Sequence, residues 1–467
     1  MLGLLKRLLT LNGPASTSAP AHIPRARSDA ADGATRVLVI SARYPPYATV
    51  GAIRVSKLTK YLDRAGANVQ VLTLDRDPDV KQGLDVEIEA HRVHRARYRD
   101  LNAPVRRIMG GESRVQEHGY AVSTRRRSVK VLAATVRDLY RVFVHWPDAK
   151  GGWIRPAVRH ASRRFDHSPP QVVYASSPPF STAVIAAKLA KRWDAKLVVE
   201  FRDPWATFPS NGLYSTIRRW ADLRIEARVL RHAAGLVTVT EPWKQQLQTV
   251  YGKPVAIIPN GFDPALLEVS TSGREQKSQT DRFELVYTGN ILSGHPIERV
   301  LEAIAELPES SRRRIRVVIA GRSLGPTRAV AEALGIEDVI DFRGPLPHAQ
   351  TVRLQQGADA LLLLDRDLQD WGGIPAKSFE YFASGHPILC VARPESHLAH
   401  WVDFDPATRV AWTDDEIRTA LRAMMAFEVP HREVAVDVPP LREFNRQHQA
   451  SDLLAWIDEL PAGATPT

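Results

Sequence analysis

The sequence predicts an α/β protein made of two Rossmann-like domains, each a parallel sheet with helices on its faces. Three observations carry this. Apolar runs of strand length alternate with stretches of helical periodicity along most of the chain. At 467 residues the chain is too long for one comfortable core and suits two domains of roughly 200 residues each. A polar break, VSTSGREQKSQTD at Val269–Asp281, separates the two alternating halves.

Residues 1–35 stand apart. MLGLLKRLLTL has apolar residues at 1, 2, 4, 5, 8, 9 and 11, interrupted by Lys6 and Arg7. A secretory signal carries its charge before the apolar core and a small-residue cleavage site after it, so this pattern suits an interfacial helix better. The Pro-, Ala- and Ser-rich Asn12–Thr35 reads as a tether. The first domain, 36–265, opens with strand Arg36–Ser41, helix Ala52–Ala65 and strand Asn68–Leu74, a βαβ unit that implies parallel pairing. Strand Val172–Ser176, helix Thr182–Arg192, strand Lys196–Phe201, a long helix from Ser215 to Arg231, strand LVTVT and helix Pro242–Val250 continue it. After the linker 266–281, a second domain at 282–440 repeats the alternation. Its strands are FELVYTG, RIRVVIAG, VIDFRG, ADALLLL and Ile388–Ala392, and its helices include Ile297–Leu307, Thr327–Leu334 and His348–Gln355. Residues 441–467 hold a last helix, about Ala450–Leu460, and a tail.

Composition narrows the class. Hydrophobic content of 44% with 25% charge is that of an ordinary globular chain. No apolar run approaches the ~18 residues of a transmembrane helix. Cys390 is the sole cysteine, so no intramolecular disulfide forms, zinc and iron–sulfur sites are disfavoured, and a reducing cytoplasm fits. The first βα loop holds only Gly51 where a dinucleotide fingerprint needs three glycines, which argues against a NAD enzyme. Lys+Arg exceed Asp+Glu by 63 to 52 over the chain, yet Arg92–Arg164 alone holds 18 against 5, leaving 45 against 47 elsewhere. All the basicity sits in one segment, which points to an anionic membrane surface or a nucleic acid, or else to a solvated helix face.

The richest stretch is Trp371–Ala392, WGGIPAKSFEYFASGHPILCVA. Gly372 and Gly373 let backbone approach a ligand, and Pro375 suits a first helical turn. Lys377, Glu380, Tyr381 and Ser384 share one helical face, with Phe379, Phe382 and Ala383 opposite. Gly385 ends the helix and Pro387 keeps it from resuming. A cation and a carboxylate near a helix N-terminus suit a phosphorylated ligand, the cation on phosphate and the carboxylate on sugar hydroxyls. A surface pair at i, i+3 reads equally well from these residues alone.

The run G-I-P-x-K-x-x-E-Y-x-A-x-G-x-P-I-L resembles the donor-sugar motif of glycosyltransferase family 4. YPPYATVGAIRVSKLTKYL, SSPPFS, FRDPW and IPNGFD resemble that family's landmarks in the first domain, in the same order. The resemblance implies a GT-B fold, two Rossmann-like domains facing each other across a cleft, and a retaining, metal-independent transferase. It implies a nucleotide-diphosphate sugar as substrate, with no further cofactor and no metal ligands. Glu380 takes the position that holds the nucleotide ribose, while Gly372 stands where a second glutamate is usual. The basic pair that usually follows the strand equivalent to LVYTG is reduced to His295. Arg322, Lys377 and the backbone N–H groups of Gly289–Asn290 and Gly373–Ile374, beside Pro375, are then the expected diphosphate contacts. Gly51, Arg54, Ser176 and Ser177 are the expected first-loop and acceptor residues, and a histidine common at Ser176–Ser177 is absent. Arg202 and Asp203, after the end of a strand where open α/β sheets place ligands, are the expected catalytic pair with Glu380. Arg202 is expected to keep Asp203 ionised, although Asp203 also suits a turn cap.

The leading expectation is therefore a glycosyltransferase at the cytoplasmic face of a membrane, acting on a lipid-linked or glycan acceptor in cell-surface polysaccharide or glycolipid synthesis. A nucleotide-sugar epimerase is the alternative within the same fold. A non-catalytic basic scaffold or nucleic-acid-binding protein is the alternative outside it, and it lacks the aromatic platform that single strands require.

Overall fold

The structure, a computed structural model, describes residues 34–77, 80, 82–101, 146–203, 205–206, 213–265, 282–322, 324–366, 374–429, 431, 437 and 439–461. The amphipathic start and nearly all of the tether, the middle of the basic segment (102–145), the linker 266–281 and the pair Gly372–Gly373 lie outside the described residues. The chain divides into two compact units, Met1–Pro259 with Gln449–Thr467, and Asn260–His448.

The first unit is built on a seven-stranded sheet. Its strands are β1 Arg36–Ile40, β2 Asn68–Leu74, β3 Val93–Ala96, β4 Val172–Ser177, β5 Lys196–Phe201, β6 Ala233–Thr238 and β7 Val255–Ile257, in the order β3-β2-β1-β4-β5-β6-β7. Every pairing is parallel. The chain winds outward from β1 through β2 and β3, then crosses to β4 and winds the other way, so a switch point lies between β1 and β4. Alternation along the strands feeds two cores. Leu38 and Ile40 join the helices Ile154–Phe165 and Ser181–Trp193 on one face. Val37 and Val39 join helix Val50–Arg64 and the C-terminal helix Arg446–Glu459 on the other. Strands buried on both faces explain why these runs are apolar throughout rather than alternating with polar residues. The described ends of the basic segment contribute an edge strand, β3, and most of helix Ile154–Phe165.

The second unit repeats the plan with six strands. They are β8 Phe283–Thr288, β9 Ile315–Ala320, β10 Ile340–Phe342, β11 Ala360–Leu364, β12 Ile388–Val391 and β13 Thr408–Ala411, in the order β10-β9-β8-β11-β12-β13 and all parallel. Its switch point lies between β8 and β11. Helices Ile297–Ala305 and Asp414–Met425 cover one face, and helix Lys377–Ser384 lies on the other with Phe444 and Trp401. The last helix begins in this unit, and from Gln449 onward belongs to the first. There Ala450, Leu453 and Ile457 are fully buried, and Gly235 of β6 leaves the space that Trp456 and Leu460 fill.

One buried charge holds the interior of the first unit. Glu200 faces helix Val50–Arg64 from within an apolar strand and is completely buried. Arg54, 2% exposed, donates to its Oε1 from Nε at 2.8 Å and Nη2 at 2.6 Å, and Ser176 donates to Oε2. Arg54 also reaches the carbonyls of Ile258 and Pro259, at 2.7 Å each. Burial pushes the Glu200 pKa up, but Arg54, Arg202 and Ser176 together outweigh it and hold it below the usual carboxylate range. Its stabilising contribution is therefore present above the unfolded pKa and lost as pH falls through the folded one. Arg54→Met leaves this carboxylate buried without its partner, so the first unit should lose about 3–5 kcal/mol of stability. Chemical unfolding followed by tryptophan fluorescence measures the loss, and adding Glu200→Gln should recover part of it.

Candidate functional site

In the first unit two loops at the carboxyl ends of β4 and β5 are tied together. Arg202 Nε donates to Ser177 O at 3.3 Å, its Nη2 donates to Pro178 O, and the backbone N–H of Arg202 donates to Ser177 O at 2.9 Å. Phe180 and Trp205 stack with centroids 4.6 Å apart and planes 1° from parallel. A Cβ on Gly51 would stand 1.9 Å from Arg202 Nη1, so the absent side chain at the start of helix Val50–Arg64 makes room for the guanidinium. SSPPFS, FRDPW and the first-loop glycine therefore meet at one place.

Several expected residues are not ligand-facing. Arg54, Ser176 and Ser177 are buried. Arg54 and Ser176 brace Glu200, and the Ser177 hydroxyl lies 2.7 Å from that of Thr182. They are corrected here from acceptor contacts to supports. Arg202 does not win over Asp203 as expected: the protein around the Asp203 carboxyl raises its pKa, and Arg202 lowers it only in part. The residue is nonetheless exposed, and water at its oxygens weakens both effects.

The second unit gathers more chemistry, at the carboxyl ends of β8 and β9. Gly289 has φ of +122°, and a Cβ there would come 3.0 Å from Lys377 Nζ. The positive φ demands glycine, and the close approach of the lysine adds to that preference. Gly321 packs equally closely, its hypothetical Cβ 1.8 Å from Gly289 O. Gly289 N–H donates to Ala320 O at 2.8 Å, Ile291 N–H to Arg322 O at 3.4 Å, and Arg322 N–H to Asn290 Oδ1 at 3.2 Å. Gly289 N–H is thus spent inside the fold, which corrects its expected role as a phosphate donor. The Arg322 side chain is exposed.

Lys377 opens the helix Lys377–Ser384, with Pro375 two residues ahead and its carbonyl accepting from Ser378 N–H at 3.0 Å. The helix ends at Gly385, φ +77°, as expected. Lys377 Nζ lies 3.7 Å from the centroid of the Tyr287 ring, and among the described residues no carboxylate pairs with it. Burial pushes its pKa down to about 7 from 10.5. Part of the side chain still meets solvent, which tempers that burial. The sign is that of a cost. Between about pH 7 and 10.5 the unfolded chain binds the extra proton, so stability rises with pH through that window. An anion at the ammonium would remove the cost. His295 stands in the same loop region. Burial, with Lys377 and Arg366, lowers its pKa to about 4, and its Nδ1 accepts from Leu292 N–H at 3.1 Å.

Glu380 is not paired with Lys377, so the surface-pair reading fails. Its Oε1 lies 2.7 Å from His348 Nε2, and its Oε2 accepts from Gln355 Nε2 at 3.1 Å. Burial raises its pKa, but His348, Gln355 and Arg446 bring it below the usual range, so it is a carboxylate. Tyr381, expected on the polar face, is fully buried instead. Its hydroxyl accepts from Thr288 N–H at 3.0 Å at the end of β8. Ile374 and Pro375 are half-buried beside the helix start, and Gly373 lies outside the described residues. Glu200, Tyr287, His348 and Gln355 were not anticipated. A lone glutamate in KLVVEF was the available signal for the first, since buried charges are paired.

Two doubly wound parallel sheets, the second with a half-buried cation and a hydrogen-bonded carboxylate near its switch point, define an α/β protein of the GT-B type. Sequence comparison makes the class specific. A glycosyl transferase 4-like domain matches residues 51–261, and a glycosyl transferases group 1 domain matches residues 270–398. The chain belongs to the group 1 glycosyltransferases. Solved structures of like fold include a putative UDP-N-acetylglucosamine 2-epimerase from Listeria monocytogenes (TM-score 0.53, 13% identity, 91% of this chain and 96% of that one). Sucrose-phosphate synthase from Thermosynechococcus elongatus is another (0.51, 14%, 90% and 94%). A third is the lipopolysaccharide outer core galactosyltransferase WaaB (0.50, 12%, 91% and 100%). No curated protein sequence matches the chain. Among the described residues no helix is long and apolar enough to cross a membrane.

Lys377 supplies a test that needs no ligand. In the protein with 13C-methylated lysines, one resonance should titrate near pH 7, and it should vanish in Lys377→Arg. A full set of lysines titrating near 10.5 would contradict the buried-cation geometry.

Proposed function

We propose that this group 1 glycosyltransferase is a retaining enzyme that moves a sugar from a nucleotide-diphosphate donor to a lipid-linked or glycan acceptor. The observation that carries the donor half is the Lys377 ammonium, held over Tyr287 beside Gly289 with Glu380 fixed one helical turn away. Lys377 takes a phosphate oxygen, the open N–H of Asn290 adds a donor, and Glu380 accepts from the ribose hydroxyls. As the bond from the anomeric carbon to the phosphate oxygen breaks, the electron pair leaves with the nucleoside diphosphate. Positioned positive charge lowers the barrier by stabilising that departing anion. The acceptor oxygen forms the new bond on the same face and gives up its proton to Asp203, which also orients the hydroxyl beforehand. Arg202, locked to Ser177 and Pro178, holds the loop that carries Asp203.

We read the cofactor set as empty, the nucleotide-sugar being substrate and the transfer independent of metal. Peripheral docking on the cytoplasmic face of an anionic membrane accounts for the basic segment, since basic residues near such a surface contribute about 1 kcal/mol each. Sedimentation with anionic vesicles should then fall steeply with salt, and binding indifferent to salt and lipid charge would contradict it.

Two substitutions test the reaction. Glu380→Ala should leave circular dichroism unchanged and weaken nucleoside-diphosphate binding by about 1.5–3 kcal/mol, the range for a hydrogen bond to a charged group. Asp203→Asn should cut turnover by roughly 10²–10⁴-fold with donor affinity nearly unchanged. A lower melting temperature with turnover per folded molecule intact would make Asp203 a cap instead. Product analysis separates the reactions. A transferase releases nucleoside diphosphate only with acceptor present, whereas an epimerase converts the sugar without acceptor.

A further inference from the structure

Glu380 owes its orientation to one neighbouring helix. His348 and Gln355 are seven residues apart on helix His348–Gln356, two turns along, and so lie on one face. From that face each takes a different oxygen of Glu380: His348 Nε2 at 2.7 Å from Oε1, and Gln355 Nε2 at 3.1 Å from Oε2. Gln355 is 1% exposed, and the same nitrogen donates to Thr288 Oγ1 at 2.9 Å. Thr288, itself buried, is in turn bonded to the Tyr381 hydroxyl through its backbone N–H. The carboxylate, the end of β8 and the helix that carries Lys377 are therefore joined by side-chain hydrogen bonds into one network, buried at Gln355, Thr288 and Tyr381 and partly open to solvent at Glu380.

We propose that His348 and Gln355 are positioning residues that act through Glu380, fixing both of its oxygens so that their remaining lone pairs meet the ribose hydroxyls of the donor. This rests on the ribose role given above to Glu380. A carboxylate has about four lone-pair sites. Two are used by the supporting donors, and the other two match a vicinal diol. A freely rotating carboxylate at this place would have to lose its side-chain freedom on binding, whereas one already held does not. A merely structural role for the pair predicts lower stability, or weaker binding of every ligand alike. The positioning role predicts a loss that needs the ribose hydroxyls to be present.

The experiment measures dissociation constants of the full chain by titration calorimetry for uridine, guanosine and adenosine diphosphates and for their 2′,3′-dideoxy counterparts. Wild type is compared with Glu380→Ala, His348→Ala, His348→Gln and Gln355→Met, after each melting temperature has been recorded. For the diphosphate that binds tightest, Glu380→Ala should lose roughly 10- to 150-fold in affinity, and His348→Ala and Gln355→Met should each lose about tenfold. For its dideoxy form each should change less than twofold, and His348→Gln, which keeps a donor, should recover most of the loss. If Glu380→Ala shows the hydroxyl-dependent loss while His348→Ala and Gln355→Met do not, the positioning role is overturned and the ribose role stands. If Glu380→Ala weakens both forms equally or neither, the ribose role itself falls, and the positioning role with it.

Discussion

The second unit is organised around a half-buried cation, Lys377, with which no carboxylate among the described residues is paired. Lys377 sits on the face of Tyr287 and against the bare backbone of Gly289. The interaction with the ring returns a part of the hydration that burial removes, and the pKa pushed down to about 7 shows that it does not return all of it. Groups shifted by burial in this way cluster at functional sites. The surroundings follow from this one placement. Gly289 must be glycine for its φ of +122°, which also leaves room for the ammonium, and Gly321 must be glycine to let the Gly289 carbonyl lie against it. The helix start must fall at Lys377 for its first turn to face the same spot.

The first unit answers a different constraint. Its β5 carries Glu200 into the apolar interior, and side chains from helix Val50–Arg64 and the end of β4 are placed to keep that charge satisfied. Arg54 and Ser176 are spent on it. Arg202 adds its field and is itself fastened to two carbonyls, leaving Gly51 as the surface against which it rests. Asp203 is an exposed carboxylate beside this cluster.

Most of the fold was legible because doubly wound sheets write themselves plainly. Strands buried on both faces are unbroken apolar runs, and Asn68–Leu74 and Lys196–Phe201 match β2 and β5 residue for residue. The helix Lys377–Ser384 was also clear, since glycine and proline mark its end. What sequence spacing could not tell was which polar residues face inward. Tyr381 shares a helical stripe with Lys377, yet its hydroxyl finds a backbone N–H within the core, so burial wins over amphipathic order. Arg54 looks like a first-loop contact until its partner, 146 residues later, is known. His348 and Gln355 are invisible for the same reason, since their meaning depends on a carboxylate on another helix. Asp203 shows the converse error, where the nearest charge was credited with more than the surrounding protein allows.

The central claim is that Lys377 is held for a phosphate, and proton linkage tests it most directly. At pH 8.5 a site titrating near 7 is mostly neutral when empty, and a bound diphosphate must recharge it. Calorimetric titration of the tightest-binding nucleoside diphosphate in buffers of different ionisation enthalpy should therefore report uptake of close to one proton at pH 8.5. Uptake should shrink toward pH 6 and vanish in Lys377→Met. Binding at pH 8.5 with no proton uptake, or with the same uptake in Lys377→Met, would contradict the account.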